Sequence, residues 1–283
     1  MILLSKKKMH TTVFLHEAIQ ALQILPGKTY IDATYGEGGH TQLIVDKGGI
    51  VLAIDADKNQ VAKGLKRNHT VVQGLFKDIG TIAKANNLES VDGILFDFGL
   101  SMDQLSKSGK GFSYNYDQEP LDMRLGEEGA TAAELLNSYH EKELVAMIMK
   151  YSEEKYAIDI ARGILSYRRK RALATVGDLK KVINEVVPQE EPRYKVYARI
   201  FQAVRIMTNN ELDQIKQGLQ GAWSLLKPDG VIVTITFHSL EDRLVKRFGR
   251  SHLGLSRETV DVEKVRPLQS FERSAHLRIL QKK

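Results

Sequence analysis

The stretch "YIDATYGEGGHTQ", residues Tyr30–Gln42, decides how the rest of this 283-residue sequence is interpreted. Its first five residues, "YIDAT", have the apolar and β-branched character of a buried strand. Three glycines follow within four positions, at Gly36, Gly38 and Gly39. Glycine accepts positive φ angles and lets a backbone approach another group closely. The stretch therefore predicts a strand that ends in a tight turn, which either binds a phosphate or a nucleoside or serves only as a turn.

Outward from this stretch, strand-like and helix-like segments alternate. The segments "GIVLAID" (49–55), "TVVQGLF" (70–76) and "VDGILFDFG" (91–99) have the character of further strands, with helical segments between them. This alternation predicts an α/β fold with a parallel sheet covered by helices on both faces. From Ser101 to about Arg199 the periodicity is helical, and a long helix from about Ala198 to Leu226 then leads through a turn at 227–230 to the strand "VIVTITF".

The economical interpretation is one α/β domain that is split in sequence, at 1–104 and 200–283. A helical domain, 105–199, is inserted between its two parts.

Composition and charge limit the class of protein. Hydrophobic residues make up 42% of the chain, enough for a full core, and no apolar run approaches the length of a membrane helix. The segment Met1–Lys8 carries its charges after its apolar residues, opposite to a secretory signal, so we expect a cytoplasmic protein. The absence of cysteine excludes disulfides and zinc–thiolate sites. A net charge of +6 suits a phosphate-rich partner without requiring one.

A carboxylate also ends the second predicted strand. Asp55 lies nineteen positions after Gly36, and both fall at the carboxyl ends of strands, where open α/β sheets bind ligands. A carboxylate at this place can accept hydrogen bonds from the ribose hydroxyls of an adenosine-containing cofactor. The turn and Asp55 together therefore indicate a nucleoside more specifically than either does alone.

The choice of nucleoside depends on the residues within the turn. The dinucleotide fingerprint G-x-G-x-x-G needs a third glycine where Thr41 stands, and Glu37 would repel a pyrophosphate. S-adenosylmethionine has no phosphate and carries a positive sulfonium, so acidic neighbours such as Asp32 and Glu37 are tolerable. The turn favours a methyl donor, and a nicotinamide-dependent oxidoreductase remains the alternative.

The fourth predicted strand ends at a third carboxylate, Asp97. The exocyclic amine of a nucleobase is a poor nucleophile because its lone pair is delocalised into the ring. A hydrogen-bond acceptor can hold such an amine so that the lone pair faces the methyl carbon. Asp97 has this chemistry, although its position equally allows a contact with the amino group or the methionine end of the cofactor.

Several segments together resemble the RsmH (formerly MraW) family of S-adenosylmethionine-dependent methyltransferases. They span nearly the whole chain and include "YIDATYGEGGHT", "VDGILFDFGLSMDQL", "GKGFSYNYDQEPLDMRL", "LLKPDGVIVTITFHSLEDRLVK" and "ERSAHLR". The family methylates the 4-amino group of a cytidine in the decoding region of small-subunit (16S) ribosomal RNA. The resemblance implies a class I, Rossmann-like methyltransferase fold with a mostly parallel sheet and an inserted all-α domain. Departures at residues 195–198, Met102 and Ser152 put substrate details in doubt rather than cofactor contacts.

The resemblance also implies which residues bind the cofactor. Gly36 to Gly39 would admit the methionine portion, Asp55 the ribose and Phe76 the adenine. Apart from the resemblance, the chemistry of the residues makes Asp97 the candidate that holds the target amine. His238 is a second catalytic candidate that could instead be a hydrogen-bonded structural group. No metal is expected for the chemistry. The full set of expected cofactor contacts is Gly36, Gly38, Gly39, His40, Asp55, Phe76, Asp97 and Gln104.

The expected substrate contacts lie in the inserted domain, and each has a plainer alternative. An extended "GFSYNY" would place the rings of Phe112, Tyr114 and Tyr116 on one face, where they could stack a flipped cytosine or pack the inserted domain against the sheet. Asp122 and Arg124 could contact RNA or form an ion pair that fixes their loop. A basic cluster could follow an RNA backbone or be a solvated helix end; it comprises Arg162, Arg168, Arg169, Lys170 and Arg171.

At the start of the helix "LEDRLVKRF", Ser239 and Asp242 resemble a capping box. Glu241 and Arg243 are expected on the helix surface or between domains.

The sequence thus predicts an RNA-binding enzyme of ribosomal RNA processing, which transfers a methyl group from S-adenosylmethionine to the N4 amine of a cytidine. The expected partner is small ribosomal subunit RNA, and no membrane association is expected. A homodimer is one possible oligomeric state. Two alternatives stay open. One is a divergent paralogue that methylates another RNA site, and the other is a ribosome-assembly factor that binds RNA without catalysis.

Overall fold

A computed structural model describes residues 12–101, 104–105, 108–252, 255–260, 262, 266–268 and 272–283. The chain divides into two compact units. The α/β unit comprises residues 1–99 and 214–283, and the helical unit comprises residues 100–213. The helical unit therefore takes in residues 200–213, which lie outside the inserted domain expected from the sequence. The assignment of 1–104 with 200–283 and of 105–199 as domains stays a prediction.

Seven strands in the described part of the α/β unit form one sheet, in the order β3-β2-β1-β4-β5-β7-β6. Strands β1 to β5 are parallel, whereas β7 runs antiparallel to both β5 and β6. This arrangement confirms the predicted mostly parallel sheet. The strands are β1 (Thr29–Asp32), β2 (Ile50–Asp55), β3 (Val71–Gln73), β4 (Val91–Asp97), β5 (Leu226–Thr236), β6 (Leu255–Val260) and β7 (His276–Lys282).

Helices connect the parallel strands of this unit, as the alternating sequence pattern predicts. Fully buried side chains such as Ile31, Ile54 and Ile94 form the core around the central strands. Gly93 is needed in β4 because a Cβ there would lie 2.9 Å from the ring of Tyr30. The helices are α1 (Leu15–Leu22), α2 (Gly39–Asp46), α3 (Lys58–Lys66), α4 (Ile79–Ala85), α10 (Glu211–Leu225, whose first three residues belong to the helical unit) and α11 (Ser239–Ser251).

The helical unit confirms the all-α character of the insertion. Two of its helices start at capping boxes, Thr131 with Glu134 and Thr175 with Asp178, which satisfy backbone N–H groups of the first turn. In the described part of this unit, the β-type pairing is limited to an isolated bridge. Its helices are α5 (Ala132–Ser138), α6 (Glu141–Ser152), α7 (Ala157–Arg168), α8 (Val176–Val186) and α9 (Arg193–Asn209).

The long helix expected from about Ala198 to Leu226 is wrong as a single element. It is broken at Asn210, which has φ +49° and separates α9 from α10. Asparagine adopts this left-handed conformation more readily than most residues, so it ends α9 at little cost. The turn expected at 227–230 lies inside β5, where Asp229 has φ +61° and the pairing with β4 is irregular. None of the helices in the described part of the chain is both long enough and apolar enough to span a membrane.

Candidate active site

Three neighbouring strands of the α/β unit each end in an aspartate. Asp32 is the last residue of β1, Asp55 of β2 and Asp97 of β4, and these strands are adjacent in the order β2-β1-β4. The strand order reverses at β1, and in open α/β sheets ligands bind beyond the carboxyl ends of the strands at such a point. The fold therefore places the three carboxylates along one ligand-binding edge.

The glycine turn is tied to this edge by Asp55, because the Gly36 N–H donates to Asp55 Oδ2 at 2.7 Å. Gly36 has φ +54°, and a Cβ there would meet no heavy atom closer than 4.0 Å. Gly38 and Gly39 differ, since their added Cβ atoms would lie 2.4 Å from the Tyr35 hydroxyl and 1.9 Å from Thr12 Oγ1. Packing thus accounts for Gly39, packing and a φ of +78° account for Gly38, and Gly36 provides a positive φ beside open space.

Asp55 is held by the backbone on both sides. Its Oδ1 accepts from the Asp57 N–H at 2.8 Å, while Oδ2 accepts from Gly36. Burial raises the pKa of the Asp55 carboxyl to about 7, against the opposing effect of these two hydrogen bonds. Each carboxylate oxygen has a second lone-pair direction. Asp55 is therefore a fixed acceptor with remaining capacity for the hydroxyls of a ligand.

Asp32 anchors the start of α2, a role that the sequence analysis did not assign. Its Oδ2 accepts from Thr41 Oγ1 at 2.6 Å, and its Oδ1 accepts from the Thr34 N–H at 3.2 Å. The side chain is fully buried, and burial raises its pKa to about 6. The position of Asp32 at a strand end, identical to that of Asp55 and Asp97, is the signal that could have revealed it.

Asp97 is the least satisfied of the three carboxylates. Its backbone N–H donates to Thr34 Oγ1 at 2.7 Å, but its buried Oδ1 has no hydrogen-bond partner among the described residues. Burial raises the pKa of Asp97 well above its ordinary value, and the negative charges of Asp32 and Glu241 raise it further. A buried acceptor without a partner is costly, which indicates that a ligand supplies a donor or a positive charge here.

His238 is engaged with Glu241 at the start of α11. Its Nδ1 accepts from the Glu241 N–H at 3.4 Å, and its Nε2 lies 3.0 Å from Glu241 Oε1. Glu241 Oε2 in turn accepts from the Phe237 N–H at 2.8 Å. These contacts favour the structural interpretation of His238, and its catalytic role stays a prediction.

Two expectations at the start of α11 are wrong. The capping box consists of His238 and Glu241, not Ser239 and Asp242, because Asp242 is turned inward to an ion pair with Arg278. Of the two positions expected for Glu241, the helix surface is wrong, since the residue is 1% exposed, and the position between domains stays a prediction. The spacing His-x-x-Glu matches the capping-box pattern with histidine in place of serine or threonine, so the signal was present in the sequence.

Phe76, His40 and Gln104 were expected to contact the cofactor. Phe76 is half-buried and packs edge-to-face on Phe98, with ring centroids 5.5 Å apart. His40 is buried in the first turn of α2, burial lowers its pKa to about 4, and its Nε2 has no partner among the described residues. Gln104 belongs to the helical unit, where its Oε1 accepts from the Ser101 N–H at 2.9 Å. Their cofactor contacts stay predictions.

The expected row of aromatic rings in "GFSYNY" does not form. The segment folds into bends and turns rather than an extended strand, and Tyr116 is 44% exposed. Phe112 is buried in the core of the helical unit, and Tyr114 packs against Tyr197 and Phe201 with ring centroids 5.8 and 6.0 Å apart. Packing is therefore the role that the structure supports for Phe112 and Tyr114, within the helical unit itself. Their contact with substrate stays a prediction.

Asp122 and Arg124 form a bidentate ion pair. Arg124 Nε donates to Asp122 Oδ1 at 2.7 Å and Nη2 donates to Oδ2 at 2.8 Å, while Nη1 donates to two backbone carbonyls. Hydrogen bonding from Arg124 lowers the pKa of Asp122. These bonds occupy most donors of the guanidinium, which favours the loop-fixing interpretation over a phosphate contact.

The basic cluster near the end of α7 is partly used within the helical unit. Arg162 pairs with Glu141 at 2.9 Å, and Arg168 donates to the carbonyl of Leu136 at 2.8 Å. Arg169, Lys170 and Arg171 are exposed beyond the end of the helix. Their expected contact with RNA, like that of Arg168, stays a prediction.

Comparison with known proteins identifies the family. The sequence profile of the MraW methylase family matches residues 7–283. Proteins named ribosomal RNA small subunit methyltransferase H are similar over most of the chain. The protein from Deinococcus deserti is 40% identical over 242 residues, 84% of this chain and 80% of its own, and that from Carboxydothermus hydrogenoformans is 42% identical over 250 residues, 85% and 80%. The Brevibacillus brevis protein is 41% identical over 251 residues, 84% of this chain and 79% of its own.

One similar solved structure has a much lower sequence identity. A putative methyltransferase from Streptococcus mutans has a TM-score of 0.47 and 11% identity, and covers 97% of this chain and 100% of that one. That likeness is too low to carry an argument about function. The family profile and the curated relatives each extend over most of the sequence, which confirms the resemblance found in its motifs. The chain belongs to the MraW methylase family.

Proposed function

We propose that the chain is an S-adenosylmethionine-dependent methyltransferase that modifies the N4 amine of a cytidine in the decoding region of small-subunit ribosomal RNA. The curated relatives are named as small-subunit ribosomal RNA methyltransferases, which supports the substrate class. The observation that carries the proposal is the row of three carboxylates, the buried Asp32 and the half-buried Asp55 and Asp97. Asp97 has one buried oxygen with no hydrogen-bond partner among the described residues.

The residues at this edge fit S-adenosylmethionine in charge and in shape. When bound, it supplies an electrophilic methyl group on a positive sulfonium. Buried carboxylates with raised pKa values are stabilised in their charged form by a nearby positive charge. Gly36 leaves room beside Asp55, whose oxygens can accept from ribose hydroxyls, and the half-buried ring of Phe76 offers a face for the adenine. A dinucleotide would instead bring its diphosphate toward three acidic groups.

Asp97 is the group proposed to act on the substrate amine. Its Oδ1 can accept one N–H of the cytidine 4-amino group, which fixes the orientation of the nitrogen lone pair toward the methyl carbon. Nitrogen forms the new bond to the methyl carbon while the bond from that carbon to sulfur breaks. The methylated amine then loses one proton to water, and since it is far less basic than an alkylamine it needs no strong general base.

Incubation of immature small ribosomal subunits with methyl-labelled S-adenosylmethionine tests this proposal. The RNA is then digested to nucleosides and analysed by mass spectrometry. We expect label in N4-methylcytidine with the wild-type chain and a loss of label with Asp97→Ala. Label in another nucleoside would assign a different RNA site, and RNA binding without label would indicate an assembly factor.

A further inference from the structure

The net positive charge of the chain is unevenly divided between its two units. Of the 41 basic and 35 acidic residues, 24 basic and 17 acidic residues fall in the sequence of the α/β unit. That unit therefore has a formal charge of +7, whereas the helical unit, with 17 basic and 18 acidic residues, has −1. Affinity for a nucleic-acid backbone depends on net local positive charge. The charge division thus points to the α/β unit, rather than the helical unit, as the main source of electrostatic attraction.

Helix α11 presents a basic surface of the α/β unit. Its exposed residues are Ser239, Arg243, Arg247, Arg250 and Ser251, so its exposed face carries no acidic side chain. The three arginines are spaced at i, i+4 and i+7, which places them on one face of a helix. In the described part of the chain, Arg247 and Arg250 have no acidic partner. We refer to Arg243, Arg247 and Arg250 as the α11 arginine row.

The acidic residues of α11 do not pair with Arg247 or Arg250. Asp242 is buried and pairs with Arg278 and with Lys246, the latter at 2.8 Å. Glu241 is buried against His238 beneath the first turn. Both carboxylates are therefore used on the inward side of the helix, and Arg247 and Arg250 retain their positive charge on its outward side.

The position of α11 relates the arginine row to the candidate active site. The helix begins three residues after β5 ends at Thr236, and β5 pairs with β4 so that Ile235 lies opposite Asp97. With a rise of about 1.5 Å per residue, the helix extends about 20 Å from this edge. The arginine row therefore begins about 6 Å along the helix from its start at this edge, at Arg243, and ends about 17 Å along it, at Arg250.

Aromatic rings lie at the far end of the same helix. His252 follows α11 and stacks on Phe248 with ring centroids 3.9 Å apart, and it also contacts Trp223 at 5.6 Å. Lys282 lies over the Trp223 ring at 4.4 Å from its centroid. Phe248 is buried, whereas the rings of His252 and Trp223 are half-buried. Partly exposed rings beside basic side chains are typical of surfaces that bind single-stranded RNA.

We propose that the α11 arginine row binds the ribose–phosphate backbone of the substrate RNA beside the target nucleotide. This inference rests on the proposed function for the identity of the RNA, but it assigns the docking surface to the α/β unit. It predicts that Arg247 and Arg250 contribute more to RNA affinity than the exposed cluster at the end of α7.

The experiment measures binding of radiolabelled small-subunit ribosomal RNA on filters between 50 and 200 mM KCl, a range chosen from the usual salt sensitivity of such contacts. The double variant Arg247→Gln/Arg250→Gln should reduce the slope of log affinity against log salt by about 1.4–1.8. At 0.1 M salt this corresponds to a loss of about 25- to 60-fold in affinity. Lys66→Gln/Lys84→Gln, which removes two exposed charges from the last turns of α3 and α4, is the matched control and should change the slope little.

A second double variant, Arg169→Gln/Arg171→Gln, removes the same charge from the end of α7. The inference is overturned if this variant lowers the salt slope while the α11 variant retains the wild-type slope. Calorimetry with S-adenosylmethionine should show unchanged affinity in the α11 variant, which establishes that its fold is intact.

Methyl transfer distinguishes the two proposals. The α11 variant should show a raised KM for small subunits with kcat within about twofold of wild type, since Asp97 is untouched. If the wild type methylates the RNA and the α11 variant has the wild-type salt slope and KM, the proposed surface is rejected and the proposed function stands. A lowered salt slope without any methylation would reject the function and leave the surface standing.

Discussion

Asp55→Asn is the substitution that best separates a ribose-binding carboxylate from a structural one. The amide has nearly the same shape as the carboxylate but replaces one acceptor oxygen with a donor. In the structure Asp55 accepts from Gly36 at 2.7 Å and from Asp57 at 2.8 Å, so the amide can keep only one of these bonds. Any contact with ribose hydroxyls would lose its charged acceptor as well.

The expected loss follows from the strength of hydrogen bonds to charged groups. Such a bond contributes about 1.5–3 kcal/mol, so loss of one ribose contact should weaken S-adenosylmethionine binding by about 10- to 150-fold. The loss should also depend on pH. Because burial raises the pKa of Asp55 to about 7, the wild-type carboxyl is largely protonated at pH 6 and largely ionised at pH 8. The difference in S-adenosylmethionine affinity between wild type and Asp55→Asn should therefore increase as the pH rises.

Isothermal titration calorimetry with S-adenosylmethionine at pH 6, 7 and 8 measures this effect. S-adenosylhomocysteine, which lacks the sulfonium charge but has the same ribose, should show a similar gap between the two proteins. Asp57→Asn is the matched control, since Asp57 caps α3 by accepting from the Asn59 N–H at 2.8 Å. Equal affinities for wild type and Asp55→Asn at pH 8 would mean that the ribose lies elsewhere.

Four further outcomes are expected. Asp97→Asn should lower kcat for methyl transfer by about 10²- to 10³-fold, as loss of a positioned group does, and a rate within threefold of wild type in single-turnover assays would exclude it from the chemistry. Gly36→Ala should cost about 1–2 kcal/mol in urea unfolding, because φ is +54° and no neighbour crowds the new methyl group; a neutral result would contradict the strain argument. Arg124→Lys should cost about 1–3 kcal/mol because lysine cannot make the bidentate pair with Asp122, and an unchanged denaturation midpoint would refute its loop-fixing role. Without cofactor, the free energy of unfolding should fall as pH rises from about 4 to about 7, since the folded state holds protons on Asp32 and Asp55 that the unfolded state has released; an Asp55→Asn protein with the same slope as wild type would argue against this source.

The architecture of the α/β unit could be predicted from the sequence because its signals are local. Apolar strand segments, each followed by turn residues and a helix, specify the parallel sheet, and the carboxylates Asp55 and Asp97 fall at strand ends that can be read directly. Two antiparallel strands, β6 and β7, were missed because "HLRILQK" is short and partly charged. Their pairing depends on long-range contact with β5, which no local pattern encodes.

The errors concern side-chain direction at Glu241 and chain path at Tyr116 and Asn210. Glu241 was expected on the helix surface or between domains; it is not on the surface, because its carboxylate is turned inward and accepts a hydrogen bond from the Phe237 N–H. Tyr116 was expected beside Phe112 because alternation was taken to mean a strand, whereas the segment turns. Asn210 was not recognised as a helix break, because its left-handed conformation, which ends α9, is not evident from the residue type alone.

A crystal structure of the protein with S-adenosylmethionine tests the central claim most directly. We expect the adenosine to lie beyond the carboxyl ends of β1, β2 and β4, with its ribose hydroxyls about 2.6–3.0 Å from Asp55 and its sulfonium on the side of Asp97. Density for S-adenosylmethionine at any other surface, or protein side chains that fill this edge of the sheet while S-adenosylmethionine is bound elsewhere, would contradict this placement.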